Sequence, residues 1–96
     1  MKAKQNGIAV VGSGRIGGLP ARLAGRHPAV TFLAVSDKEP AHAKAVAELA
    51  GADFCAADND AVIVHPRVNA AIVSTPEGEH AAPVCRALEL GKPVLV

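Results

Sequence analysis

Apolar residues along this chain come in short unbroken runs, and the stretches between them carry apolar residues at helical spacing. Residues 7–12 read GIAVVG, an apolar run bounded by glycine. Apolarity that does not alternate predicts a strand buried on both faces, as in a parallel sheet. Residues 30–36, VTFLAVS, form a second run rich in β-formers, and residues 68–74, VNAAIVS, a later one. Residues 52–55 read as a short strand, and residues 93–96 begin another. Residues 13–26 predict a helix with Ile16, Leu19, Leu23 and Ala24 on one side, stopped by His27-Pro28. Residues 40–50 predict a second helix. Pro40 suits its first turn, Gly51 stands just past its end, and Ala43, Val46, Ala47 and Ala50 share one stripe. Residues 77–90 predict a helix with Ala81, Val84, Cys85 and Leu88 inward and Gly91 at its end. Asp58-Asn59-Asp60 is a turn cluster, and residues 61–65 fit either a helix or a strand. The order β-α-β-α-β-(α)-β-α-β implies parallel pairing through right-handed crossovers, an α/β doubly wound sheet. No linker or internal repeat divides residues 1–96, so they are expected to form one domain.

Composition narrows this picture. The core must be built from Ala, Val, Leu and Ile, because the chain has no Trp, no Tyr and two Phe among 96 residues. Ten Lys and Arg against nine Asp and Glu leave a net charge of +1, with the basic residues scattered. That argues against a nucleic-acid partner, which needs clustered Lys and Arg. No stretch free of Asp, Glu, Lys and Arg exceeds ten residues, well short of the ~20 that a membrane span requires. The start of the chain does not read as a signal peptide. Cys55 and Cys85 form neither a disulfide framework nor a metal set, and are expected to be buried small hydrophobes of a cytoplasmic protein.

The chemistry concentrates at strand ends. Gly12-Ser13-Gly14-Arg15-Ile16-Gly17 is a G-x-G-x-x-G that follows a strand, opens a helix and sits in a β-α-β unit, the context of a dinucleotide-binding loop. Gly12 permits the tight turn, Gly14 lets a pyrophosphate approach the backbone, and Gly17 lets the helix lie close to the sheet. The helix N-terminus then faces the phosphates with its free N–H groups. The other reading is a glycine-rich turn without ligand. Asp37 lies twenty residues after Gly17, at the end of the second strand. A carboxylate there can accept hydrogen bonds from the adenosine ribose hydroxyls and would repel a 2′-phosphate, which favours NAD over NADP. It can serve at the same time as a turn or cap residue before Glu39-Pro40. Lys38 either pairs with a 2′-phosphate, were Asp37 turned away, or is a solvated surface charge. Arg15 either lies over the adenine or phosphates or faces water. Ser74-Thr75-Pro76 leaves the fourth strand, where small and hydroxyl side chains leave room for the nicotinamide ribose. Thr75-Pro76 equally suits a plain helix start. His27, His42 and His65 have no motif around them.

GIAVVGSGRIG, FLAVSD, AAIVSTPEGEH and ALELGKPVLV together resemble the N-terminal Rossmann domain of the Gfo/Idh/MocA oxidoreductases. The pairing of Thr75, Pro76 and His80 with the Ala87–Leu95 segment is the more specific part, and the resemblance covers essentially the whole chain. It implies NAD, with NADP possible, as cofactor. It also implies hydride transfer to or from a hydroxyl-bearing carbon of a sugar, cyclitol or related small molecule, in a protein that is a homo-oligomer when full length. It makes His80 a candidate to face the cofactor crevice. The alternative is a helix-start histidine satisfied by a nearby carbonyl. Members continue into a Glu-Lys-Pro motif and a second domain that brings most catalytic groups. The chain reaches Val96 before such a motif, so it is expected to be the front part of something longer, inactive by itself, with its last strand open along one edge. No catalytic or metal-binding residue is assigned within it. Gly18-Leu19-Pro20 departs from the family pattern, and Pro20, which lacks an N–H, predicts a different start for the helix that carries Arg15. The rival function is a free-standing dinucleotide sensor without catalysis, and a truncated pseudo-enzyme is a third reading.

Overall fold

The computed structural model describes residues 6–12, 19–74 and 81–95. Five strands form one parallel sheet: β1 (Gly7–Val11), β2 (Phe32–Ser36), β3 (Phe54–Ala56), β4 (Ala70–Val73) and β5 (Val94–Leu95), in the order β3-β2-β1-β4-β5. Four helices alternate with them: α1 (Leu19–Arg26), α2 (Pro40–Ala50), α3 (Asn59–Ile63) and α4 (Ala81–Glu89). The chain moves outward from β1 to β3, then returns to the other side of β1. Reversing direction while keeping one crossover hand sends the later helices to the opposite face. This is the doubly wound α/β architecture that the hydrophobic pattern predicts.

The two faces explain why the strands show no alternation. On one face Val10, Leu33 and Val35 meet Ala21, Ala24, Val46 and Ala50 of α1 and α2. On the other, Ala9, Val11, Phe32 and Ala34 meet Val62, Ile63, Val68 and Ala87 around α3 and α4. Adjacent strand residues therefore enter different cores. The core is thin because its members are small. Where α1 crosses α2, Gly25 lies so close that a Cβ placed on it would run into the Ala50 carbonyl oxygen.

Lys92 ties β5 to α3. Its Nζ donates to the carbonyl oxygens of Ile63 and His65, at the end of α3 where helical carbonyls lack partners. Burial, and secondarily the Arg86 charge, lowers the Lys92 pKa. At the same end of the sheet His65 stacks on Phe32 at 4.6 Å, with Phe54 at 5.1 Å and the Arg67 guanidinium 4.6 Å above Phe32.

Several expectations change. Residues 58–63 hold a short helix, with Asp58 as its cap: the Asp58 side chain accepts from the Asp60 N–H. In α4 the buried residues are Pro83 and Ala87, with Val84 half-buried. Ala81, Cys85 and Leu88 are exposed, Leu88 at 62%. The helix is turned by about one residue, ~100°, from the expected face. The side carrying Arg86 meets α3, where Arg86 Nε donates to Asp60 Oδ1 at 2.8 Å. This exposed pair contributes little energy and marks orientation. Leu23 is exposed at 58%, and Ala21 and Ala24 take the buried positions of α1. Both cysteines are free and exposed: Cys55 sits mid-way along edge strand β3, and Cys85 on the outer side of α4. The inward stripe of α2 stands as expected, with Ala43, Val46 and Ala50 buried.

Two substitutions test this packing. Gly25→Ala adds helix propensity, at most ~1 kcal/mol, but forces a methyl onto a backbone oxygen that cannot rotate away. We expect a net loss of about 1–2 kcal/mol from overpacking, read as a lower urea midpoint; an unchanged or raised midpoint would show that the helices have room to part. Lys92→Met keeps the stem and removes the donor from two carbonyls. It should cost about 1–2 kcal/mol, measured by thermal unfolding, and equal stability would mean water replaces the ammonium without loss.

Candidate functional site

The carboxyl ends of β1, β2 and β4 are held level by the sheet itself. Beyond the last paired residue of each strand the ladder continues by one hydrogen bond. Gly12 N–H donates to Ser36 O at 2.9 Å, Ser74 N–H to Val11 O at 2.7 Å, and Asp37 N–H to Ala56 O at 3.3 Å. Gly12, Asp37 and Ser74 are therefore neighbours along one edge, at the point where strand order reverses. In open α/β sheets that crevice is where ligands bind.

Each residue has a local reason for its place. Gly12 has φ +79°, a left-handed conformation that a side chain would strain, and it turns the chain out of β1. Asp37 stands immediately after β2 and makes an Asx turn, with Oδ1 accepting from the Glu39 N–H at 2.9 Å. Its side chain is 15% exposed, and Oδ2 lies 3.1 Å from His42 Nδ1 on the first turn of α2. Beneath them Ser36 is fully buried, and its hydroxyl donates to Asn59 Oδ1 at 2.8 Å, pinning the end of β2 to the start of α3. Lys38 is exposed, and Ser74 half-buried.

Of the residues singled out from sequence, Gly12, Asp37, Lys38 and Ser74 are thus placed, and the first, second and fourth share the crevice edge. Ser13, Gly14, Arg15, Ile16, Gly17, Thr75, Pro76 and His80 lie outside the described residues. The sequence reading missed Ser36–Asn59 and His42. Ser36 carried a faint signal, a lone hydroxyl closing an apolar strand; His42 carried none, since its partner lies five residues back across a loop. Among the described residues no His, Cys, Asp and Glu side chains converge as a metal site, and no helix is long and apolar enough to cross a membrane.

The donor set fits a dinucleotide on two counts. A strand-end glycine with positive φ leaves backbone where a phosphate would need close approach, and a carboxylate stands one strand away, where paired ribose hydroxyls would need an acceptor. A cavity of about 730 Å³ runs along the α1 side of β1, β4 and β5, lined largely by Ile8, Leu23, Ala24, Val30, Ile72 and Leu95, and reaches Ser74 at the crevice edge. Among the described residues its lining is mostly apolar and includes no Asp, Glu, Lys or Arg.

Comparison with known proteins adds an independent line. The model of a family described as an oxidoreductase family with an NAD-binding Rossmann fold matches residues 6–96. Inositol 2-dehydrogenase of Rubrobacter xylanophilus is 37% identical over 89 residues, covering 92% of this chain and 25% of that protein. Scyllo-inositol dehydrogenase from Lactobacillus casei, crystallised with NAD(H) and scyllo-inositol, superposes with a TM-score of 0.81 at 27% identity, over 95% of this chain and 27% of that one. A variant of a 3-ketoreductase from Actinomadura kijaniata, crystallised with TDP-benzene and NADP, gives 0.73 at 26% identity, over 95% and 29%. The chain spans about a quarter of the length of the curated relative it matches. A sheet wound in this order, a glycine turn and an acid at adjoining strand ends, and a family match over residues 6–96 lead to one conclusion: the chain belongs to the Gfo/Idh/MocA oxidoreductase family and forms its NAD-binding Rossmann domain.

Proposed function

We propose that these residues hold the cofactor of an oxidoreductase that moves a hydride between a nicotinamide and a hydroxyl-bearing carbon of a sugar, cyclitol or related small molecule. The observation that carries this reading is the alignment of Gly12, Asp37 and Ser74 at the strand-order reversal. Support for the substrate class comes from the inositol dehydrogenases that the chain resembles. When bound, NAD supplies the hydride chemistry, and the protein's share is binding and orientation.

In this reading Gly12 and Gly14 bring backbone to the pyrophosphate, with Ser13, Arg15, Ile16 and Gly17 completing the loop. Asp37 takes the ribose hydroxyls and sets NAD above NADP, and Lys38 stays at the solvent side. Ser74, Thr75, Pro76 and His80 border the nicotinamide half. The groups that hold the substrate and move its proton are not among these residues. The whole protein is a cytoplasmic homo-oligomer acting on a small molecule. A dinucleotide sensor has the same loop and acid, but the Thr75–His80 and Gly91–Leu95 segments and the family match favour the enzyme.

Two titrations test the reading. Gly14→Val puts a branched side chain where the pyrophosphate approaches, so calorimetry should show NAD binding largely lost; equal affinity would remove the loop from the site. Asp37→Ser should shift the preference for NAD over NADP by about 1–3 kcal/mol, the scale of hydrogen bonds to a charged group. A wild-type protein that already prefers NADP would assign the discriminating role to Lys38.

A further inference from the structure

His42 belongs to no motif, yet its imidazole meets the candidate ribose carboxylate directly. Its Nδ1 lies 3.1 Å from Asp37 Oδ2. An ionised carboxylate only accepts, so Nδ1 must carry the hydrogen, and the imidazole donates. The opposite oxygen, Oδ1, is taken by the Glu39 N–H at 2.9 Å. The torsion that turns an Asp carboxylate about its own axis is broad and weakly held. A donor at one oxygen alone does not stop that rotation. A second donor at Oδ2, mounted on the first turn of a helix, fixes the plane.

A fixed plane matters for a vicinal diol. Two hydroxyls on adjacent carbons present two donors in a set geometry, and a carboxylate whose plane is held offers two acceptors to match. A 2′-phosphorylated ribose has lost one of those donors and brings like charge to Asp37. Resting on the cofactor reading above, we infer that His42 is the positioning residue that makes Asp37 selective for a dinucleotide with a free ribose 2′-hydroxyl. His42 does not touch the cofactor in this account. It acts through Asp37, and its own side chain is 39% exposed, so little packing depends on it.

The test is a double-mutant cycle on the protein, reading dissociation constants for NAD and NADP separately, with unfolding midpoints as a control. His42→Ala should weaken NAD by about ten- to hundredfold, the scale of a hydrogen bond to a charged group. NADP should change by less than about threefold, so that the preference collapses. His42→Asn places an amide N–H near the position of Nδ1 and should restore most of the preference. His42→Leu keeps bulk without a donor and should behave as alanine does; it carries the test if the alanine variant does not fold. In an Asp37→Ala background, His42→Ala should have no further effect. Equal weakening of NAD and NADP by His42→Ala, failure of His42→Asn to rescue, or an undiminished effect in the Asp37→Ala background would overturn the inference while leaving Asp37 in its role. An Asp37→Ala variant that binds NAD as well as wild type would overturn the cofactor reading itself, and the inference with it.

Discussion

Three backbone hydrogen bonds govern the geometry of this domain's working edge. Gly12 to Ser36, Ser74 to Val11 and Asp37 to Ala56 extend the parallel ladder one residue past its strands. Each uses a group that would otherwise be unpaired at a strand end, so satisfaction of the backbone and placement of the site are one event. The candidate residues stand on the rigid sheet, and the loops that follow begin from fixed points. Ser36 adds a side-chain anchor below this edge, through Asn59, where the return to the second half of the sheet begins.

A thin core accompanies this arrangement. Ala9, Ala34 and Ala71 in the strands, and Ala21, Ala24, Ala43, Ala50 and Ala87 in the helices, bring the layers near each other. Gly25 marks the limit of that approach. Among the described residues Phe32, Leu33 and Ile63 are the large ones inside the core, while Leu23, Leu49, Leu88 and Leu95 are all more than half exposed. Beside Leu23 and Leu95 lies the apolar cavity on the α1 face. The two halves of the sheet thus differ, with α1 and α2 covering β1 and β2 on that face.

What could be read from the residues follows from which forces are local. Strands buried on both faces announce themselves as unbroken apolar runs, and α2 carries Pro40 at one end, Gly51 at the other and a single alanine stripe between. The family resemblance rested on the same strand ends, and the match over residues 6–96 agrees with it. The phase of α4 was not legible, because Ala81, Ala82, Val84, Cys85, Ala87 and Leu88 make it apolar nearly all round. Its orientation follows the contact with α3, shown by Arg86 reaching a residue 26 positions earlier. Asp58-Asn59-Asp60 read as a turn because those residues favour turns, and the same chemistry caps a helix when apolar Val62 and Ile63 follow. Cys55 looked like core, but an edge strand buries less of what it carries. The strand-end placement of Gly12, Asp37 and Ser74 was legible from loop spacing; the imidazole behind Asp37 was not, because residue types alone do not show that the turn at Glu39 brings the start of α2 back onto the carboxylate.

The central claim is that ligand binds at the carboxyl edge of β1, β2 and β4. Amide chemical shifts read at each residue during titration with NAD test it most directly. The account predicts shifts concentrated at Gly12 and Asp37, with Phe32, Arg67 and Val68 at the opposite end of the sheet unmoved. Shifts gathered instead at Ile8, Leu23, Val30 and Leu95 would move the ligand into the apolar cavity and contradict it.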